Sequence, residues 1–193
     1  MYTSLKELEL IVSKCDRCSL RATASSVVFG EGNPSAEIMF IGEGPGFHED
    51  QQGRPFVGPA GQLLDKMIVA CGWSRSDVYI TNIVKCRPPQ NRVPTIVEGQ
   101  TCIPWLEHQI ALISPRIIIA LGSTAARHLI SQSISITRSR GHWFEYQNIP
   151  VMPTFHPAAL LRDPSKKRPV WEDLKQVIAR LKGGVVSEKS SNG

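Results

Sequence analysis

The feature that most constrains this chain is a glycine-rich turn that directly follows a short apolar run. Ile38 to Ile41 are all apolar, and the next five residues, Gly42 to Gly46, include three glycines and a proline. A strand cannot continue through such a segment, so the backbone has to turn tightly there. After an acidic, polar loop, a helix is predicted to begin near Pro59–Ala60. This order of strand, glycine turn and helix is typical of open α/β sheets, which bind ligands at the carboxyl ends of their strands.

The rest of the chain alternates between apolar runs and segments with helical periodicity. Strands are predicted at 38–41, 78–84, 116–121 and 149–155, helices at 4–12, 62–70, 95–112, 123–129 and 170–181, and a hairpin partner at 142–146. The alternation predicts a single-domain three-layer αβα fold with a central, mostly parallel four-stranded sheet. We assign residues 1–182 to this domain and expect 183–193 to form a disordered tail.

Composition narrows the class of protein further. The 193 residues are 41% hydrophobic and 20% charged, which is ordinary for a soluble globular protein. No apolar run approaches the roughly 20 residues that a membrane span needs, and the N-terminus does not resemble a signal peptide. We therefore expect a cytoplasmic protein with no membrane partner. We also expect it to be a monomer. The five cysteines then favour metal ligation or catalysis over disulfides.

Basic side chains are concentrated near the C-terminus. Between positions 162 and 182 the chain has three acidic side chains and seven basic ones, which are Arg162, Lys166, Lys167, Arg168, Lys175, Arg180 and Lys182. A localised basic surface fits a nucleic-acid backbone as partner. A solvated helix face has the same composition, so the charge alone leaves both interpretations open.

Several residues with functional side chains stand at the predicted ends of strands. The Gly42–Gly58 loop contains Glu43, Glu49 and Phe56, whereas Asn82 lies in the second core strand and His156 follows the last one. Since the carboxyl ends of parallel strands share one edge of a sheet, these side chains are predicted to converge on a site. Taken singly, Asn82 and His156 also fit a core amide and a core histidine.

The motifs that contain these residues resemble those of the iron–sulfur (family 4) uracil-DNA glycosylases. The matching segments are Gly42–Gly46, Glu49–Asp50, Gly53–Gly58, Thr81–Asn82, Lys85–Pro89, Asn91–Arg92, His156–Pro157, Arg162 and Trp171–Leu174. They stand in order and cover roughly residues 15–181. The resemblance implies a uracil-DNA glycosylase-like fold and a monofunctional enzyme of base excision repair. Such an enzyme flips uracil out of DNA and hydrolyses its N-glycosidic bond, leaving an abasic site.

The resemblance also implies a role for each pocket residue. Phe56 would stack on the flipped base, and Asn82 would pair with its O4/N3 edge. His156 would lie near O2, where negative charge accumulates as uracil departs. Backbone N–H groups around Glu43 and Gly44 would complete the pocket. Either Glu43 or Glu49 would help to orient the attacking water, and the sequence does not decide between them.

A cofactor and a DNA-binding segment are implied in the same way. A structural 4Fe–4S cluster would be held by Cys15, Cys18, Cys86 and Cys102, with zinc as the alternative metal, while Cys71 is expected to be a buried structural thiol. The Ala158–Arg162 loop resembles the segment that these enzymes press into the minor groove, with Leu160 or Leu161 as an apolar wedge and Arg162 at a phosphate. Lys166, Lys167 and Arg168 would add affinity that weakens with salt.

The sequence also allows two alternatives to an enzyme that completes multiple turnovers. One is a non-catalytic module that binds uracil-containing DNA on the same scaffold. The other is covalent trapping, which a related branch performs with a histidine in an inserted basic loop after the segment equivalent to Lys85–Arg87. Residues 87–93 contain no histidine, so we expect turnover. The sequence leaves open whether the DNA is single- or double-stranded.

Overall fold

A six-stranded sheet lies at the centre of the protein, whose computed structural model describes residues 2–183. The strands are β1 (Glu31–Gly32), β2 (Ile38–Gly42), β3 (Tyr79–Asn82), β4 (Ile117–Leu121), β5 (Phe144–Tyr146) and β6 (Ile149–Thr154). Their order across the sheet is β1-β3-β2-β4-β6-β5. The four inner strands are parallel, and the two edge strands pair antiparallel to their neighbours. Of the tail predicted at 183–193, residues 184–193 lie outside the described residues.

The predicted fold class is confirmed, but the strand count was too low. The four parallel strands are those expected from the sequence, and two short edge strands bring the sheet to six. Strand β1 is only two residues long, which is too short for any periodicity to reveal it. Strands β5 and β6 form the predicted hairpin, and the two residues that connect them, Gln147 and Asn148, both have positive φ (49° and 64°). This backbone is the one that tight two-residue hairpin turns require.

Helices cover both faces of the sheet. They are α1 (Leu5–Val12), α2 (Leu20–Thr23), α3 (Phe47–Gln52), α4 (Pro59–Ala70), α5 (Ile96–Ile113), α6 (Gly122–Leu129), α7 (Ile136–Ser139), α8 (Pro157–Arg162) and α9 (Lys167–Leu181). Met39 and Ile41 of β2 pack into one core cluster with α1 and α5, whereas Ile38 and Phe40 pack into another with α4, α8 and α9. Strands buried on both faces explain the continuous apolar runs in the sequence.

The helix predicted at 95–112 is α5, which begins after a capping box formed by Thr95 and Glu98 and continues through Pro104. Two local features differ from the sequence prediction. The acidic segment after the glycine turn is the short helix α3 rather than a loop. The predicted Ala158–Arg162 loop is part of helix α8, which starts at Pro157. No helix within residues 2–183 has the length and apolar character to cross a lipid bilayer.

Candidate active site

The carboxyl ends of the parallel strands β2, β3, β4 and β6 open into one cavity of about 800 Å³. The predicted pocket residues all line it, namely Glu43, Gly44, Glu49, Phe56, Asn82 and His156. The structure therefore brings together the residues that the sequence placed at separate strand ends. A shared cavity is the condition that any joint action on one ligand requires.

Phe56 forms one wall of the cavity. Its ring is 5% exposed and stacks against the imidazole of His156, with ring centroids 5.5 Å apart and an interplanar angle of 30°. Gly42 makes room for this ring, because a Cβ atom there would lie 2.5 Å from Cζ of Phe56 and 2.5 Å from Oδ1 of Asn82. A glycine at the end of β2 thus lets an aromatic face and a carboxamide meet at the strand edge.

Asn82 supplies an unsatisfied acceptor. It ends strand β3, is 1% exposed, and its Oδ1 atom has no hydrogen-bond partner in the described part of the chain. Among residues 2–183, the only other buried side-chain polar atom without a partner is Nε1 of Trp143. A buried acceptor without a partner costs about 1–3 kcal/mol. A ligand with a matching donor would remove that cost.

A buried lysine that sequence reasoning did not single out holds the backbone beneath Asn82. Lys85 is 1% exposed, and its Nζ donates to the carbonyl oxygen of Asn82 (2.9 Å), to Oγ1 of Thr81 (2.5 Å) and to Oε1 of Gln109 (2.6 Å). Burial lowers the pKa of Lys85 to about 7. The lysine therefore ties the end of β3 to helix α5. In the sequence, the one indication of this role is that Lys85, a charged residue, directly follows the apolar strand predicted at 78–84.

The hydrogen bonding of His156 determines which of its ring nitrogens carries the proton. The backbone N–H of Ala158 donates to Nδ1 at 3.1 Å. Burial lowers the pKa of His156 to about 4; the nearby positive charge of Arg162 lowers it further, and Glu49 opposes the shift. The imidazole is therefore neutral at pH 7. Since Nδ1 accepts a hydrogen bond, its proton is on Nε2, which is left as a donor.

The two candidate carboxylates differ in what they already bind. Glu49 accepts three backbone N–H groups: Gly46 at 3.1 Å on Oε2, and Val57 and Gly58 at 2.8 Å each on Oε1. Glu43 accepts one hydrogen bond, from Oγ1 of Thr124 at 2.5 Å on Oε2. Glu49 thus holds the two ends of its loop together, whereas the second carboxylate oxygen of Glu43 has no hydrogen-bond partner among the residues that the structure describes.

Sequence reasoning missed two further residues of the cavity. Thr124 and the exposed Arg127 both belong to helix α6, which begins directly after the predicted strand β4. The rule that pointed to Asn82 and His156, that ligands bind where parallel strands end, applies equally to the residues after β4. Thr124 orients Glu43, and Arg127 places a positive charge at the mouth of the cavity.

The cysteines converge at a second place. Cys15, Cys18, Cys86 and Cys102 line one small cavity, together with Arg17, Arg21, Lys85 and Trp105. The indole N–H of Trp105 faces Sγ of Cys15 at 3.3 Å. Within residues 2–183, no three or more His, Cys, Asp or Glu side chains are arranged to share a single metal ion. Cys71 lies apart at the end of α4; it is half-buried rather than fully buried, and desolvation raises its pKa to about 11.

Comparison with known proteins identifies the family. The family model of the uracil DNA glycosylase superfamily matches residues 29–175. A type-4 uracil-DNA glycosylase of Thermotoga maritima is 44% identical over 189 residues, which span 94% of this chain and 98% of the relative. The chain belongs to the type-4 uracil-DNA glycosylase family. Another type-4 member, from Saccharolobus solfataricus, is 45% identical over 189 residues, which span 92% of this chain and 88% of the relative. The family predicted from the motifs is therefore confirmed.

A solved structure supports the fold of this type-4 family member. The crystal structure of Pedobacter heparinus SMUG2 aligns with a TM-score of 0.51 over 77% of this chain and 76% of that chain, at 13% sequence identity. An identity this low bears on the fold alone. It agrees with the α/β layers described above.

On the rim of the type-4 cavity, the structure separates the two candidate wedge residues. Leu160 is 2% exposed and packs in the core with Val170 and Leu174, so the expectation that it reaches DNA is wrong. Leu161, the next residue of helix α8, is 49% exposed. Successive residues of a helix point in different directions, which a prediction of this segment as a loop could not resolve. Arg162, also exposed, lines the cavity.

Proposed function

We propose that the protein is a DNA repair glycosylase that flips uracil out of DNA and hydrolyses its N-glycosidic bond, releasing uracil and leaving an abasic site. The observation that carries this proposal is the unpaired Oδ1 of Asn82 in the same cavity as the ring of Phe56 and the neutral imidazole of His156. The membership of the chain in the type-4 family supports the same activity. A base can reach such a cavity only after it leaves the stack.

The three side chains match the chemistry of a uracil ring. The face of Phe56 packs against the flat base, and the carboxamide of Asn82 accepts from N3–H and donates to O4. The Nε2–H of His156 donates to O2, where negative charge develops as the glycosidic bond breaks. A neutral imidazole does this without the cost of burying a cation, and donors aimed at developing charge usually supply the largest catalytic contribution.

Glu43 is the carboxylate that we assign to the attacking water. Hydrolysis passes through an oxocarbenium-like sugar, which a nearby carboxylate stabilises while it orients water. Glu43 has a free oxygen and is steadied by Thr124, whereas both oxygens of Glu49 accept backbone N–H groups. Glu49 therefore shapes the loop that carries Phe56 and contributes negative potential near His156.

Matched glutamine substitutions distinguish these two roles. Glu43→Gln is expected to lower kcat about tenfold or more at an unchanged melting temperature, because only the interaction with water is weakened. Glu49→Gln is expected to lower the free energy of unfolding by about 1–3 kcal/mol, because an NH₂ group replaces one acceptor of the backbone N–H groups. Single-turnover kinetics and thermal melts measure both. A full kcat in Glu43→Gln, with a large loss in a stably folded Glu49→Gln, would reverse the assignment.

We further propose that Cys15, Cys18, Cys86 and Cys102 hold a 4Fe–4S cluster, and the residues present fit such a group. The four thiols border one cavity, and Arg17 and Arg21 line it with positive charge that suits an anionic thiolate cluster. A cluster of several irons spaces its thiolates more widely than a single zinc ion does. When bound, it would supply a structural cross-link between the N-terminal segment and helix α5.

The cysteine proposal predicts different outcomes for ligand and non-ligand thiols. Cys15→Ala and Cys86→Ala are expected to lose iron and visible absorbance and to melt at a lower temperature, because metal binding contributes directly to folding. Cys71→Ala, the matched control, is expected to keep the iron content and colour of the wild type. Iron and sulfide analysis of anaerobically prepared protein measures the difference. A colourless wild-type protein that contains zinc would support the alternative metal.

The DNA-binding face is proposed to surround the mouth of the cavity. Leu161 would enter the minor groove, with Arg162 and Arg127 at phosphates. Lys167 and Arg168, both exposed at the start of α9, would add salt-sensitive affinity. Lys166 is half-buried and forms an ion pair with Asp163 at 3.2 Å, so it would contribute less.

We propose that the protein acts as a monomer in the compartment that holds the DNA, which in a prokaryote is the cytoplasm.

An oligonucleotide assay tests the proposed function directly. A single uracil in a labelled strand, presented single-stranded or opposite adenine or guanine, is incubated with the holoprotein and then treated with alkali. Strand cleavage at the uracil position alone, with free uracil released over many turnovers, is the expected result. Binding without cleavage would establish a non-catalytic module, and a heat-stable protein–DNA adduct would establish covalent trapping.

A further inference from the structure

A partly buried ion-pair network lies behind the Phe56 loop, outside the cavity. Arg75, in the turn between α4 and β3, is 21% exposed at its side chain and bonds Oε1 of Glu31 through Nε at 2.6 Å. Its Nη1 contacts Oδ1 of Asp65 at 2.7 Å and donates to the carbonyl oxygen of Phe56 at 3.1 Å. Its Nη2 donates to the carbonyl oxygen of Pro55. One guanidinium therefore holds both carbonyls that flank the backbone of Phe56.

The backbone of Phe56 needs such support. Its φ is 50°, in the left-handed region that a bulky aromatic residue rarely adopts and that is maintained only where the surroundings hold it. Gly61 of helix α4 presses against the same peptide, because a Cβ atom at that position would lie 1.9 Å from the carbonyl oxygen of Phe56. Arg75 thus holds both peptide planes that set the direction of the ring, and one of them, between Phe56 and Val57, also packs against α4.

We propose that Arg75 is a positioning residue for the proposed base-stacking wall: it holds Phe56 in its left-handed conformation and so keeps the ring over the base-binding cavity. The inference rests on the proposed function, since the stacked ligand is taken to be uracil. Arg75 does not line the cavity. Its two carboxylate partners, Glu31 and Asp65, fix the guanidinium, and the guanidinium fixes the two carbonyls.

The chain provides a matched control for this network. Arg54 also bonds Glu31, through Nε at 2.8 Å and Nη2 at 3.0 Å, but its side chain is 57% exposed. No hydrogen bond joins its side chain to either carbonyl that flanks Phe56, within the described residues. Arg54→Met therefore removes an ion pair from the same carboxylate and leaves the support of Phe56 in place. Exposed ion pairs of this kind contribute little.

The test is a double-substitution cycle measured on the holoprotein. Arg75→Met is expected to lower kcat/KM for uracil excision about tenfold or more and to weaken inhibition by free uracil by a similar factor, because a misplaced ring binds the base poorly. Arg54→Met is expected to stay within about twofold of the wild type in both measurements. In a Phe56→Ala background, adding Arg75→Met is expected to change kcat/KM by less than about twofold, because the ring it positions is gone.

Arg75→Lys keeps the measurement informative if the methionine variant does not fold. A single ammonium keeps the charge opposite Glu31 and Asp65 but does not span both carbonyls, so this variant is expected to fold and to lose activity. Equal losses from the Arg75 substitution with and without the Phe56 ring would overturn the inference. The inference would also be overturned if free uracil inhibited a folded Arg75 variant as strongly as it inhibits the wild type. A wild-type protein inactive on uracil DNA would instead refute the proposed function, whatever the cycle shows.

Discussion

Replacing His156 with alanine is expected to lower kcat for uracil excision by roughly 100- to 1,000-fold while the fold is retained. The physical reason is the loss of the Nε2–H donor to O2 of the departing base, at the point where its negative charge grows. Single-turnover excision of uracil from an oligonucleotide measures the effect. His128→Ala is the matched control, because that ring is also half-buried, has a pKa lowered by desolvation, and does not line the cavity. Near-wild-type turnover in a folded His156→Ala protein would refute the pocket assignment.

The pH dependence follows from the same histidine. Its pKa in the folded protein is about 4, below the ordinary 6.5, so the neutral form persists as the pH falls through 6.5. The activity that depends on His156 should therefore hold through this range and decline only towards pH 4. Stability behaves differently: the unfolded chain takes up the proton first, so the contribution of this histidine is present above about pH 6.5 and is lost as the pH falls. A rate that drops with an apparent pKa near 6.5 would contradict a neutral donor.

Replacing Asn82 with alanine is expected to lower kcat/KM about 100-fold without lowering the melting temperature. In the free protein its Oδ1 is a buried acceptor without a partner, so truncation removes a group that the fold does not satisfy. The loss is expected only when uracil binds, because the donor on N3 and the acceptor O4 then lose their matching groups. Excision kinetics and thermal melts on the same preparation separate the two effects.

Gln109 is the control for this prediction, since it is a buried amide nearby whose partners are all present. Its Oε1 accepts from Lys85 at 2.6 Å, and its Nε2 donates to the carbonyl oxygen of Phe29 at 2.9 Å and to the hydroxyl of Tyr79 at 3.2 Å. Gln109→Ala is expected to lower the free energy of unfolding by about 1–3 kcal/mol or more, because the buried Lys85 loses a partner. If Asn82→Ala destabilised the fold as much as Gln109→Ala, Asn82 would be a structural amide and not a base reader.

The sequence by itself determined the family, the four parallel strands and most of the residues that meet at their ends. Each of these follows from patterns within short stretches of chain, such as the apolar run before Gly42 or His156 directly after β6. The rule that parallel strands share a carboxyl edge then brings Phe56, Asn82 and His156 to one cavity without knowledge of any contact. The two-residue strand β1 escaped because it is too short to show a pattern.

Only the tertiary structure decided what each of these residues does with its neighbours. Leu160 faces the core and Leu161 faces outward, Glu49 is engaged by backbone N–H groups while Glu43 keeps a free oxygen, and Arg75 supports Phe56 from behind. These distinctions depend on hydrogen bonds and packing between groups far apart in the chain, such as Thr124 with Glu43. A local sequence pattern does not predict which distant group will form the hydrogen bond to a buried polar side chain. The partners appear only when the sheet and its helices bring them together.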